Sequence, residues 1–264
     1  MSPHRPRKRF GQNFLIDSDV IEKIVTAIDP QPQQPLLEIG PGQGALTQEL
    51  LRHIEHLTAV EIDRDLVALL SRQFGKNRLT LHSEDILNFS LHRLQLPQNK
   101  RLRVVGNLPY NISTPLIFHL LQQSELIADM HFMLQEEVAD RLVAPAGGKT
   151  YGKLTVMASY HCRIEKLFTV PPSAFSPPPQ VHSALVRLTP HRPLPVAVDQ
   201  LSSLEKVVAT AFIQRRKTIR NSLKKILPST MIKQAGVNPT LRPEQLSLSQ
   251  FALLANQLSS RADD

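Results

Sequence analysis

Asn107, Leu108, Pro109 and Tyr110 stand together in the run RVVGNLPYNIST, directly after an apolar stretch. Within this span a side-chain carboxamide and a backbone carbonyl offer two acceptors, Pro109 stiffens the turn, and Tyr110 adds a flat aromatic face. That set suits an aromatic amine, which is a poor nucleophile because its lone pair is delocalised into the ring. If the Asn107 side-chain carbonyl and the Leu108 backbone carbonyl accept its two hydrogens, the nitrogen pyramidalises and its lone pair is freed to attack an electrophilic carbon. Transfer of this kind needs no strong general base; the work is positioning and orientation. A nucleobase handled this way must leave its helix stack, and Tyr110 gives it a surface to stack on. The same four residues also make an ordinary turn at a helix start, so the surrounding elements have to decide.

Upstream, LLEIGPGQGALTQELL has the pattern of a strand, a glycine turn and a helix. Gly40, Gly42 and Gly44 have a G-x-G-x-G spacing, and with Ala45 they also satisfy the dinucleotide pattern G-x-G-x-x-A. Three alternating glycines carry an entropic cost that an ordinary loop avoids, so a ligand is expected close to the backbone. Glu61, at the end of the next strand, can grip a ribose in either class. Asp85, in HSEDIL, follows the third strand, where it can accept from an adenine amino group or simply cap a turn. Two carboxylates tolerate a cationic sulfonium cofactor such as S-adenosylmethionine and repel a pyrophosphate, and no hydride-transfer site or appended catalytic domain is evident. Phe175, in PPSAFSPPP, lies in a loop that prolines hold extended. It either packs on the core or forms a second wall of a stacking slot opposite Tyr110.

These residues need a scaffold, and the patterning supplies one. Short β-rich runs at 36–39, 57–62, 79–82, 103–106 and 130–134 alternate with helical stretches, the signature of βαβ units in a parallel sheet. Two later runs, KLTVMASYHCRIEKLFTV and SALVRLTP, read as an extended antiparallel pair closing the sheet edge. The proline-spaced segment HRPLPVAVD marks a boundary between a domain at 1–192 and a smaller helical one at 193–264. Beyond it Val208, Phe212, Ile219, Leu223 and Ile226 share one arc of a single helix, with Arg216, Lys217, Arg220 and Lys224 on a neighbouring arc.

Charge is distributed unevenly along the 264 residues. The net charge is +8, and nine basic residues lie between Lys206 and Arg242 with no acidic one among them. A polyanionic partner is expected there, and the rest of the chain is close to neutral. A solvated charged face is the ordinary fate of such residues; the density of this run favours RNA phosphates. Arg5, Arg7, Lys8 and Arg9 could extend that surface. Asp17 and Asp19 interrupt any signal-peptide core, no apolar run is long enough to span a bilayer, and a cytoplasmic location is expected. Cys162 is the single cysteine, so no intrachain disulfide or thiolate metal site can form, and no metal is expected.

N-L-P-Y belongs to the [DNS]-P-P-[FYW] class of amino-methylating enzymes, and the chain as a whole resembles the KsgA/RsmA family of ribosomal RNA adenine dimethyltransferases. The resemblance runs through RKRFGQNFL, EIGPGQGALT, VEIDRDL, GNLPYNISTPL, MHFMLQEEVADRL, VPPSAFSPPPQVHSALVRL and AFIQRRKTIRNSL. It implies a Rossmann-like class I methyltransferase domain, mostly parallel with an antiparallel edge, plus a small all-helical C-terminal domain. It further implies that Asn13, Leu15, Gly40, Glu61, Asp85 and Asn107 contact S-adenosylmethionine, Asn107 being catalytic as well. The implied substrate is a pair of adjacent adenines near the 3′ end of 16S RNA, in the small ribosomal subunit or its precursor, converted to N6,N6-dimethyladenine by a monomer. Two rival readings are a DNA adenine methyltransferase, which shares the four-residue turn, and an assembly factor in which binding outweighs catalysis.

Overall fold

In the computed structural model, which describes residues 12–262, a seven-stranded sheet carries the candidate site. The arginine-rich start expected to extend an RNA surface lies outside the described residues. The chain divides into two compact units, residues 1–139 with 165–190, and residues 140–164 with 191–264.

The first unit opens with a two-residue strand, β1 (Phe14–Leu15), and helix α1 (Ser18–Ile28). Asp17 starts α1 by accepting from the Asp19 and Val20 amides, satisfying two of the donors a helix start leaves open. The core strands and helices follow in alternation: β2 (Leu36–Ile39), α2 (Ala45–Leu50), β3 (Leu57–Val60), α3 (Arg64–Phe74), β4 (Leu79–His82), β5 (Leu102–Asn107), α4 (Ser113–Leu121) and β6 (Ile127–Gln135). Every residue of β2 is buried, as expected of a parallel strand covered on both faces.

The sheet order is β4-β3-β2-β5-β6-β9-β7, where β7 is Cys162–Val170 and β9 is Ser183–Pro190. The five strands from β2 to β6 are parallel and β9 runs antiparallel to β6, the mostly parallel architecture with an antiparallel edge expected from the sequence. From β2 the chain winds outward to β3 and β4, then returns to place β5 on the other side of β2. The connections after β2 and β5 therefore diverge, and a crevice opens at their carboxyl ends. A separate pair, β1 with β8 (Phe175–Ser176), aligns Leu15 with Phe175. At the opposite end of β5, Arg103 is buried: it pairs with Asp129 of β6 at 2.9 Å and donates to the Ile28 and Asp29 carbonyls that end α1. A buried guanidinium is tolerated because its donors are used.

The chain passes through α5 (Glu136–Leu142) into the second unit, which contains α6 (Lys153–His161), α7 (Leu201–Ile213), α8 (Ile219–Ser222), α9 (Ser229–Gln234) and α10 (Leu248–Ala262). Its core includes Tyr151 and Phe251, between which the partly buried Phe212 lies with ring centroids 6.2 and 5.8 Å away, and a buried hydrogen bond joins Ser259 to Ser203.

Three expectations change. Residues 153–161 are helical rather than extended. Leu154 through Ala158 are all buried, and an apolar run buried on every side carries no periodicity to separate helix from strand. The division near residue 192 is found at His191, but residues 140–164 group with the C-terminal unit because α6 packs on α7 and α10. The basic helix is not continuous: α7 stops at Ile213 and α8 begins at Ile219, with Thr218 extended between them at φ −65°, ψ 156°. The Ile219 and Arg220 amides donate to Leu241 O and Pro239 O, so they do not continue the helical ladder of α7. Ile219 and Leu223 are buried as expected of the stripe, but on a separate short helix.

Candidate active site

A cavity of about 270 Å³ lies at the carboxyl ends of β2, β3 and β5. Its lining includes Asn13, Leu15, Gly40, Gly42, Glu61, Asp85, Asn107, Leu108, Pro109 and Tyr110, so ten residues singled out in the sequence meet around one space.

The glycine turn forms the floor. Gly40 has φ +65° and Gly42 φ +59°, a region other residues enter only at a cost. A Cβ on Gly40 would meet nothing within 4 Å, whereas one on Gly42 would lie 2.9 Å from the Phe14 ring. Gly40 thus faces open space, and Gly42 lets β1 close over the turn. Gly44 does not line the cavity: it is the N-cap of α2, and a Cβ there would strike Leu70 and Phe74 of α3 at 2.9 Å. The third glycine is explained by helix packing, which separates it from the other two expected cofactor contacts.

Glu61 ties the turn to the tip of β3. One carboxylate oxygen accepts from the Gly42 amide at 3.3 Å and the other from Asp63 at 2.9 Å. Burial raises its pKa against the lowering effect of those hydrogen bonds. Beneath it, Glu38 is 2% exposed and accepts a 2.6 Å bond from Thr47 of α2; burial pushes this carboxyl up to about 7, Thr47 opposes the shift, and the charge of Glu61 adds to it. Asp85 uses one oxygen to accept from the Leu87 amide at 3.0 Å, the capping role considered for it, while still lining the cavity. A carboxylate has a second oxygen, so the cap does not preclude a ligand contact. Its neighbour Glu84 is held by Arg93 at 2.7 Å, whose guanidinium lies 5.0 Å from the Phe89 ring centroid.

Asn107 ends β5. Its amide nitrogen donates to the Asn13 carbonyl at 2.8 Å. A carbonyl can only accept, so this bond fixes which end of the carboxamide is which, and the side-chain oxygen remains as the acceptor for a ligand N–H. Leu108 is buried and its amide continues the strand to Met133 O at 3.2 Å. The Pro109 carbonyl accepts from Ile112, forming the turn that presents Tyr110. The Tyr110 hydroxyl lies 2.7 Å from Ser183 Oγ; burial raises the phenol's pKa and the Ser183 bond opposes the rise.

Phe175 is not a second wall. It is 2% exposed, packs in the core with Leu15, Ala174 and Met133, and does not line the cavity. Pairing with Leu15 turns its strand inward, so core packing prevails over the stacking role. In the second unit Arg216, Lys217, Arg220 and Lys224 are exposed, and Arg215 is anchored to the Lys149 and Tyr151 carbonyls.

Sequence reasoning missed other residues. Ile62 and Ile86 line the cavity beside the two acidic residues, and Ile62 is 45% exposed although apolar. An apolar side chain following the strand-end acid was the available signal. Gly106 escaped notice because its importance is a distance: a Cβ there would lie 2.6 Å from the Ile39 carbonyl of β2.

Comparison with known proteins identifies the family. The sequence model of the family "Ribosomal RNA adenine dimethylase" matches residues 3–260. The chain belongs to the ribosomal RNA adenine dimethylase family. This dimethylase is 56% identical over 259 residues to "Ribosomal RNA small subunit methyltransferase A" of Pseudomonas savastanoi, covering 98% of this chain and 96% of the relative. The protein of the same name from Pseudomonas aeruginosa is 56% identical over 257 residues, 97% of this chain and 96% of that one. Among solved structures, the dimethylase superposes on the 23S rRNA methyltransferase ErmE with a TM-score of 0.71 and 27% identity, covering 94% of this chain and 100% of that one. A dimethyladenosine transferase from Plasmodium falciparum gives 0.76 at 23% identity, over 94% and 98% of the two chains, a likeness of fold. The dimethylase is thus an rRNA methyltransferase with the Rossmann-like class I fold, and family membership disfavours the DNA reading. Among the described residues no helix is long and apolar enough to cross a membrane.

Proposed function

We propose that this dimethylase converts two adjacent adenines near the 3′ end of 16S RNA to N6,N6-dimethyladenine, acting as a cytoplasmic monomer on the small ribosomal subunit or its precursor. The observation that carries the reading is the Asn107–Asn13 bond, which occupies the carboxamide nitrogen and leaves an oxygen at the tip of β5 for an amino hydrogen. S-adenosylmethionine, when bound, supplies an electrophilic methyl group on a cationic sulfur. The cavity fits it: Gly40 faces open space, and Glu38, Glu61 and Asp85 set negative or proton-sharing groups around the lining. We assign cofactor binding to Asn13, Leu15, Gly40, Gly42, Glu61, Asp85 and Asn107, with Glu61 at the ribose and Asp85 at the adenine.

The Asn107 side-chain oxygen and the Leu108 carbonyl accept the amino hydrogens of the target base, Pro109 holds the turn, and Tyr110 stacks on the ring. Orientation of the nitrogen lone pair is the main catalytic contribution. The exposed cations Arg216, Lys217, Arg220 and Lys224 bind RNA phosphates through the second unit. Mass mapping of methylated nucleotides after reaction with unmodified small subunits tests substrate, position and degree together. Two neighbouring dimethylated adenines are expected; label on other nucleotides, or a single methyl as end product, would overturn the assignment.

A further inference from the structure

We propose that Ser183 is a positioning residue that holds the Tyr110 ring in the orientation required by the incoming base. The inference rests on the reading of Tyr110 as the stacking face. Ser183 is the first residue of β9, is 0% exposed, and sits opposite Gln135 at the end of β6. Its backbone is fixed on both sides: the adjacent His182 carbonyl accepts from Glu136, and β9 continues the ladder with β6. Ser183 is fully buried, so its hydroxyl is a polar group withdrawn from water. Such a group is costly to bury without a partner. Its partner is the Tyr110 hydroxyl at 2.7 Å.

Tyr110 needs an anchor because it lies in the turn between β5 and α4, outside the sheet ladder. Its carbonyl accepts from Ser113 Oγ at 3.1 Å, which restrains the backbone only. The phenolic oxygen lies on the axis from Cβ through the ring, so holding that oxygen fixes χ1 and hence where the ring stands. A half-turn about this axis superposes the ring on itself. A phenolic hydrogen also prefers the ring plane, so the bond biases the face offered to a base. Ser183 thereby carries the rigidity of β9 to a residue that the local turn leaves free to swing.

The test compares S183A, Y110F and the double variant under saturating cofactor with unmodified small subunits as substrate, and includes Y110A to remove the ring. Each of the first two deletes the same hydrogen bond from opposite sides and should lower kcat about fivefold, with cofactor affinity, read by separate calorimetry, unmoved. The double variant should be no slower than either single. The chain has no Trp and three Tyr, so phenolate absorbance can be followed directly, with Tyr110 assigned by difference from Y110F. Its titration midpoint should rise in S183A, since the Ser183 bond lowers it; an unmoved midpoint would show that Ser183 does not hold the hydroxyl and would overturn the inference. Losses that multiply to about twenty-fivefold in the double variant, or wild-type turnover in S183A while Y110A is slow, would overturn the role of Ser183 alone. Full turnover in Y110A would remove the stacking reading and this inference with it.

Discussion

The cavity of the first unit and the basic run of the second differ in how their polar groups are held, and the difference suits the two kinds of recognition proposed for them. Around the cavity single atoms have assigned partners: the Asn107 amide on Asn13 O, the Glu61 oxygens on Gly42 and Asp63, the Tyr110 hydroxyl on Ser183. In the basic run, Arg216, Lys217, Arg220 and Lys224 are exposed, and the chain between α7 and α8 is held by Arg215 and by backbone bonds to 239 and 241. Chemistry on an amine depends on direction and tolerates little displacement. Phosphate attraction depends on the number of charges and is long-ranged. The first unit should therefore fail by single substitutions and the second only by several together.

The largest effect is expected from Asn107→Ala, which removes both the acceptor and the tie to Asn13, the residue before β1. Methyl transfer should fall about a thousandfold, the scale of losing a preorganised polar contact, while RNA affinity stays within about twofold because no phosphate contact is lost. Single-turnover transfer of labelled methyl, beside filter binding of RNA, checks both. A normal rate would break the comparison at its sharper end.

Glu38 offers a test by pH. Its folded pKa of about 7 exceeds the ordinary 4.5, so between these values the folded chain keeps a proton that the unfolded chain has released. The contribution of Glu38 to stability should therefore decline as pH rises through this window, and Glu38→Gln should remove that contribution while leaving those of Glu61 and His161 in place. Above pH about 7 the Gln variant without cofactor should be more stable by about 3 kcal/mol. Denaturant titrations of both proteins across the window measure it; parallel curves would show that the carboxyl is not held neutral.

Reversing Arg216, Arg220 and Lys224 together to Glu should weaken RNA binding about a hundredfold and reduce the slope of log affinity against log salt by about 3. Cofactor affinity, read by calorimetry, should not change. Each single alanine substitution in this run should cost little, and an unchanged slope in the triple variant would remove the run from the interface. The smallest effect belongs to Arg93→Ala. Its pair with Glu84 is half-exposed, with Arg93 at 53% and Glu84 at 31%, so the Asp85 turn should loosen only slightly and cofactor affinity fall by no more than about fivefold. A larger loss would show that the acid-bearing turn depends on this ion pair.

The parallel sheet was legible because its strands are short β-rich runs alternating with helical stretches, and two of them, Leu36–Ile39 and Leu79–His82, have the bounds expected from patterning. The residues meeting around the cavity were legible because their chemistry is local: a glycine turn, an acid at a strand end and a carboxamide before a proline each announce themselves within a few positions. Asn13 and Leu15 came through family resemblance, since nothing in GQNFL marks a contact that β1 makes only by lying over the turn. The helix at Lys153–His161 was hidden because five consecutive residues, Leu154 to Ala158, are buried and leave no one-sided helical stripe, and the break before Ile219 by hydrophobic spacing that happens to stay in phase across it.

What the sequence determined by itself is therefore most of the residues that meet around the cavity and the succession of strands that carries them, since periodicity and turn chemistry act over neighbouring residues. Tertiary structure decided which aromatic stands at the cavity. Tyr110 lines the cavity and Phe175 is buried against Leu15, because burial depends on what arrives from elsewhere in the chain. It also decided why Gly106 must be glycine and what Ser183 holds, both of them matters of distance between β5, β2 and β9 that one-dimensional spacing does not contain.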